Sequence, residues 1–172
     1  MTLALLTERE RAVLRDLHGD IDSLRVHVRR EGGDVLRSIV LFLSRGRAIA
    51  LGRNVFVPGG QEKDVAVLAH ELMHCRQYEE WGPLRYYARG FVEQARHLLS
   101  RVGIARSPYD WRSLPRRRFA EYGMEQQGQL VEDACRGDPV AREIVLANAS
   151  TSPSVVSHDA IHRTSDRRSS HI

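Results

Sequence analysis

His70-Glu71-Leu72-Met73-His74 constrains this chain more than any other stretch. The five residues read HExxH and follow an apolar run, Val65-Ala66-Val67-Leu68-Ala69. On a helix, side chains four positions apart lie about 40° apart around the axis, so both imidazoles face one way. That face can offer two nitrogens to one Zn²⁺ at about 2.0–2.1 Å. Glu71 is then no ligand but sits beside the pair, where it can take a proton from a water on the metal. The competing reading is a solvated His/Glu face. The apolar residues around the motif argue against it, because a helix apolar on nearly all sides is buried. Lone buried polar groups cost several kcal/mol, and a metal would satisfy all three together.

A chain of 172 residues is one domain, large enough to bury a core. With 42% hydrophobic and 28% charged residues it falls outside the fibrous and disordered classes. No apolar run approaches the length of a membrane-spanning helix, so no membrane partner is expected. The stretch from Met1 to Arg9 lacks a basic leader and turns charged early. A cytoplasmic location, or export without a cleaved signal peptide, is expected. Cys75 and Cys135 cannot make a disulfide framework, and Cys75, one step off the ligand face, reads as a packed thiol. The net charge of +4 comes from arginine, since Lys63 is the only lysine. Arg116-Arg117-Arg118 has no interleaved aromatics, so it reads as a solvated face rather than a nucleic-acid site.

Apolar periodicity predicts a helix over 2–17 and a short strand over 25–29, with His27 facing solvent. Ser38 to Ser44 is apolar but of no assigned type. Arg47–Leu51 and Val55–Val57, joined through Gly52-Arg53-Asn54, read as a hairpin or bent strand pair. The HExxH helix is expected from Glu62 to Glu80, stopped by Gly82-Pro83, with Asp64 in its first turn. A second long helix follows over Leu84–Val102, a loop over 107–115, a third helix over Phe119–Arg136 capped by Gly137, and a closing helix over Val140–Ala149. The domain is thus 1–149, and the Ser/Thr-rich 150–172 reads as a disordered tail. His158 and His162 fall in that tail and are given no metal role.

Catalytic zinc takes three protein ligands and leaves a fourth position open. The pattern HExxHxxGxxH fails here, because Gln77 and Glu80 stand where its Gly and last His would be. Glu125 on the third helix is the leading third ligand, with Glu121 one turn earlier and His97 on the second helix as alternatives. If Glu125 ligates, Glu121 could orient a histidine from behind. A solvated acidic face over Glu121, Glu125 and Glu132 is the remaining possibility.

Ala69-His70-Glu71-Leu72-Met73-His74-Cys75-Arg76-Gln77 resembles the AHELxHxxQ core of a bacterial zincin-like metallopeptidase family. That family occurs as the core domain of extracellular contractile injection system cargo and in Vgr-related proteins near type VI secretion genes. Upstream, the stretch from Arg47 to Pro58 is similar to the strand pair that precedes the family's helix. Downstream, Phe119-Ala120-Glu121-Tyr122-Gly123-Met124-Glu125-Gln126-Gln127 resembles the F-x-x-Y-x-x-E-Q-Q segment of the Vgr-related branch. Laid on the motif of other members, Glu125 matches the ligand Glu, Gly128 its Ala and Gln129 its second acid. Gln129 in place of an acid, and Gly123 in place of a polar residue, leave weak catalysis or a pseudoenzyme open.

The resulting expectation is an α+β, zincin-like, gluzincin-type hydrolase. Zinc would sit on His70, His74 and Glu125, and Glu71 would be the general base. Tyr109 and Tyr122 are the candidate donors to the oxyanion. An edge strand near Asn54–Pro58 would pair with an extended peptide substrate. The rival is a non-catalytic, zinc-stabilised cargo or adaptor module of a secretion system. Glu71 separates the two, because a structural site needs the ligands but not that acid.

Overall fold

The computed structural model describes residues 6–18, 24, 26–29, 46–59 and 64–149. The chain is α+β: α1 (Glu8–His18), β1 (His27–Arg29), β2 (Ile49–Leu51), β3 (Asn54–Phe56), α2 (Val65–Trp81), α3 (Pro83–Arg101), α4 (Met124–Cys135) and α5 (Pro139–Ala149). A 3₁₀ turn, Phe119–Glu121, precedes α4. The expected tail 150–172, the apolar stretch Ser38–Ser44 and the start of the HExxH helix at Glu62-Lys63 lie outside the described residues.

The sheet runs β1-β3-β2, with β1 parallel and β2 antiparallel to β3. Gly52, at φ 60°, makes the tight turn between β2 and β3. This corrects the expected edge strand at Asn54–Pro58, because β3 is central and hydrogen-bonded on both sides. Among the described residues the edges are β1 and β2. On β2 the Ala50 carbonyl already accepts a hydrogen bond from Tyr86 Oη at 3.3 Å. His27 faces outward on β1 as its alternation predicts.

α2 is the central helix. Its buried residues include Leu68, Ala69, Leu72, Met73, Cys75 and Gln77, spread around the axis, as expected of a helix with no polar face. Asp64 is its N-cap rather than a first-turn residue, and its carboxylate accepts from the amides of Ala66 (3.0 Å) and Val67 (3.2 Å). Such caps contribute roughly 0.5–2 kcal/mol. Gly82, at φ 74°, ends α2, and Pro83 opens α3 at the position where its missing N–H costs nothing.

α2 packs most extensively on α4, and α4 on α5. Leu72, Leu130 and Val131 meet there, with Leu14 of α1, Val55 of β3 and Ala141 of α5 in the same core. Truncating a fully buried leucine such as Leu72 or Leu130 to alanine would cost about 2–5 kcal/mol.

The third helix differs from expectation. Tyr122 and Gly123 are both extended, so Phe119–Glu121 and α4 are separate elements. The break is stabilised locally, because Gln126 Oε1 accepts from the Gly123 amide at 3.0 Å. α1 likewise starts at Glu8, with Leu6 and Thr7 outside it, and residues 2–5 of the expected helix lie outside the described residues. Thr7 and Glu10 cap it reciprocally, Thr7 N donating to Glu10 Oε2 and Glu10 N to Thr7 Oγ1.

Candidate metal centre

α2 and α4 cross so that His70, His74 and Glu125 converge, all three buried. Nε2 of His70 and Nε2 of His74 are 3.2 Å apart. Each lies 3.5 Å from Oε2 of Glu125. For a tetrahedral ion with bonds of about 2.0–2.2 Å, two ligand atoms stand about 3.3–3.6 Å from each other. The two 3.5 Å separations fall on those edges and the 3.2 Å separation lies just below them. This is the one group of three metal-capable side chains among the described residues.

The electrostatics fit the same arrangement. Burial opposes a charge on His70. Hydrogen bonds to Glu125 and Glu132, with the negative charges of Glu71 and Glu125, outweigh it and hold the imidazole up to about 10. His74 is raised against the same burial, chiefly by the charge of Glu125. Glu125 is buried, which would raise its carboxyl, but the charge of His74 and hydrogen bonds from both histidines hold it well below the usual carboxylate range. An anion and two imidazoles thus share one dry site, where a divalent ion can replace the protons.

Each histidine is also held from behind. Nδ1 of His74 is 2.9 Å from Oε1 of Gln77. The amide of Gln77, fully buried, donates to the Met124 carbonyl (3.1 Å) and to Gln127 Oε1 (2.9 Å) on α4. Nδ1 of His70 is buried and makes no hydrogen bond, but it faces Oε2 of Glu132 at 3.2 Å, within ion-pair distance. The Gln77 bond fixes the ring of His74, the Glu132 carboxylate lies on the Nδ1 side of His70, and both rings turn Nε2 to the centre. Gln77 stands where the HExxHxxGxxH pattern has its Gly, and here it holds the ring of His74.

Gly128 supplies the room. A Cβ there would come within 2.8 Å of His70 Nε2 and 2.9 Å of Cε1, too close for either ring or helix to tolerate unmoved.

Glu71 is buried on α2, and its charge reaches both histidines. Tyr109 stands over His70 with ring centroids 6.3 Å apart. Burial, and then the charge of Glu125, push its phenol up to about 12, so it stays protonated as a donor. The remaining candidates go elsewhere. Glu121 is exposed on the 3₁₀ turn, bonded to Arg118, and does not share a face of α4 with Glu125. Tyr122 is a core residue whose hydroxyl oxygen accepts from the Arg117 amide at 3.3 Å. His97 on α3 lies against Tyr109, ring centroids 5.6 Å apart, outside the three-ligand group.

Gln129, which falls at the motif's second acid, donates to Asp133 Oδ1 at 3.0 Å and not to His70. The acid that meets His70 is Glu132, which the sequence places only on an acidic face. Its signal was its spacing. Seven residues, two turns, separate Glu125 from Glu132 along one face of α4. Cys75 is buried, and burial raises its thiol, in keeping with a packed, unreactive side chain. No known family, curated protein or solved structure matches this chain. The resemblance to the zincin-like family therefore stands on the motif residues alone.

Proposed function

We propose that this chain is a zinc-dependent peptidase of gluzincin type. The supporting observation is the triangle of 3.2, 3.5 and 3.5 Å between the His70, His74 and Glu125 ligand atoms. Two imidazoles and one carboxylate are the donor set of catalytic rather than structural zinc, which prefers thiolates. Zinc in such a site acts as a Lewis acid on the scissile carbonyl and lowers the pKa of its water towards about 7.

The chain's own residues carry the proton and the charge. Glu71 takes the proton from the attacking water and returns it to the leaving amine. Tyr109, protonated across the neutral range, donates to the oxygen on which negative charge develops. Gln77 and Glu132 keep the two imidazoles turned so that neither lone pair is lost. The substrate is a peptide or protein. A link to a contractile injection or type VI secretion apparatus rests on the motif likeness.

One observation favours the non-catalytic alternative. His70, His74, Glu71 and Glu125 are each less than a tenth exposed, which suits a zinc that staples α2 to α4 in a cargo or adaptor module. Incubating the zinc-loaded chain with an unfolded protein substrate, with and without chelator, separates the two. Chelator-sensitive cleavage supports the peptidase. A stable zinc complex with no cleavage supports the staple.

A further inference from the structure

We propose that Glu132 and Arg136 are positioning residues that hold His70 for the metal and tie the metal site to the N-terminal cap of α2. This rests on the metal reading above and adds to it a route by which occupancy is felt at the far end of the helix.

The two oxygens of the Glu132 carboxylate have different partners. Oε2 faces His70 Nδ1 at 3.2 Å. Oε1 accepts from Arg136 one turn later on α4, at 3.1 Å from one terminal nitrogen and 3.3 Å from Nε. That same terminal nitrogen donates to Asp64 Oδ2 at 2.9 Å. The other oxygen of Asp64, Oδ1, accepts the first free amides of α2, from Ala66 and Val67. Hydrogen bonds thus run from Glu132 through Arg136 and Asp64 back into the helix that carries His70, and the 3.2 Å contact of Glu132 with His70 closes the circuit.

Each link has a physical role. A carboxylate behind Nδ1 fixes the tautomer that leaves the Nε2 lone pair for a cation, and makes that nitrogen a better donor. His74 has only the neutral amide of Gln77 at its Nδ1, so the acid acts on one ligand and not the other. Arg136 orients the acid. It also closes a loop of hydrogen bonds between the start of α2 and the end of α4, a fork geometry that lysine cannot reproduce. When a cation draws His70 to a fixed orientation, the ordering passes to Glu132, then Arg136, then the Asp64 cap.

The test uses the full chain stripped of metal, with Glu132→Ala, Glu132→Gln, Arg136→Ala and Arg136→Lys. Zinc affinity is measured by chelator competition and exchange of the Ala66 and Val67 amides by NMR, with and without zinc. Glu132→Ala should weaken zinc about 10–100-fold. Glu132→Gln should recover part of that loss, because its amide oxygen still accepts from Nδ1–H. Arg136→Ala should weaken zinc less, and Arg136→Lys should restore little. In wild type, zinc should slow exchange at Ala66 and Val67, and in Arg136→Ala that slowing should disappear.

Wild-type affinity for all four variants, or zinc-independent exchange at the two amides in wild type, overturns the proposal. A wild-type chain that takes up no zinc overturns the metal reading instead. If Glu132→Ala fails to fold, Glu132→Gln and the arginine pair decide the outcome.

Discussion

Gly128 lies against His70 so closely that a single added methyl carbon would stand 2.8 Å from the imidazole Nε2. A glycine in the middle of α4 costs about 1 kcal/mol against alanine in helix propensity. The position is occupied by a residue that weakens the helix because the ring needs the space. Gly128→Ala should therefore displace His70 and lower metal affinity by at least tenfold, while helix content by circular dichroism stays near wild type. An affinity equal to wild type would mean that the ring moves freely and the fit is not tight.

Glu71 is the residue that separates catalysis from a structural metal. Glu71→Gln should keep metal content and melting temperature. Loss of a general base typically lowers the rate by about 10²–10⁴-fold. Cleavage by Glu71→Gln at the wild-type rate would remove this acid from the mechanism.

Glu125→Ala should lower zinc affinity and thermal stability together, since a ligand that binds only the folded state stabilises it. Glu121→Ala and His97→Ala should leave zinc content unchanged, because the first side chain pairs with Arg118 and the second packs on Tyr109. Side-by-side titration against a chelator reads all three. Loss of metal from His97→Ala with retention by Glu125→Ala would replace the carboxylate ligand with a third histidine.

In the metal-free domain His18 works against stability in mild acid, opposite in sign to the raised His70 and His74, whose contribution grows as pH falls towards 6.5. Burial, then the positive charge of Arg76, push the His18 imidazole down to about 4, against a hydrogen bond to the Ala69 carbonyl at 3.0 Å. The unfolded chain takes up a proton near 6.5, whereas the folded one does not until about 4. Stability from this group is therefore complete above 6.5 and falls as pH drops through that window, by up to about 3 kcal/mol. On going from pH 7.5 to 4.5 in chelator, the urea midpoint should change less favourably in wild type than in His18→Gln. Equal changes would show that His18 is not a source of the acid sensitivity.

The HExxH helix, its stop at Gly82-Pro83 and the shared face of His70 and His74 were legible because each follows from local rules: apolar residues on all sides, a fixed four-residue spacing, and a proline that cannot continue a helix. Glu125 was legible as a carboxylate on a later helix. Four features were not. The break at Tyr122-Gly123 depends on the Gln126 side chain folding back to the Gly123 amide, a contact that periodicity does not register. The central place of β3 depends on β1 pairing across a long stretch of sequence, which strand patterns alone do not fix. In α3, the helical spacing of Leu84 and Phe91 marks the helix correctly, but the face turned inward carries Tyr86 and Glu93, and both apolar residues are exposed. Glu132 was missed for a related reason. An acid on a charged face and an acid behind a ligand look alike until the opposing helix is in place.

The central claim is that the His70, His74 and Glu125 triangle holds a metal and not merely shared protons. Chelator-stripped, folded chain titrated with Zn²⁺ and followed by native mass spectrometry tests it most directly. One tightly bound zinc per chain is predicted, and its uptake should be lost in His74→Ala. A wild-type chain that stays helical and binds no zinc would show that the triangle is a hydrogen-bonded core cluster, and the peptidase reading would fall with it.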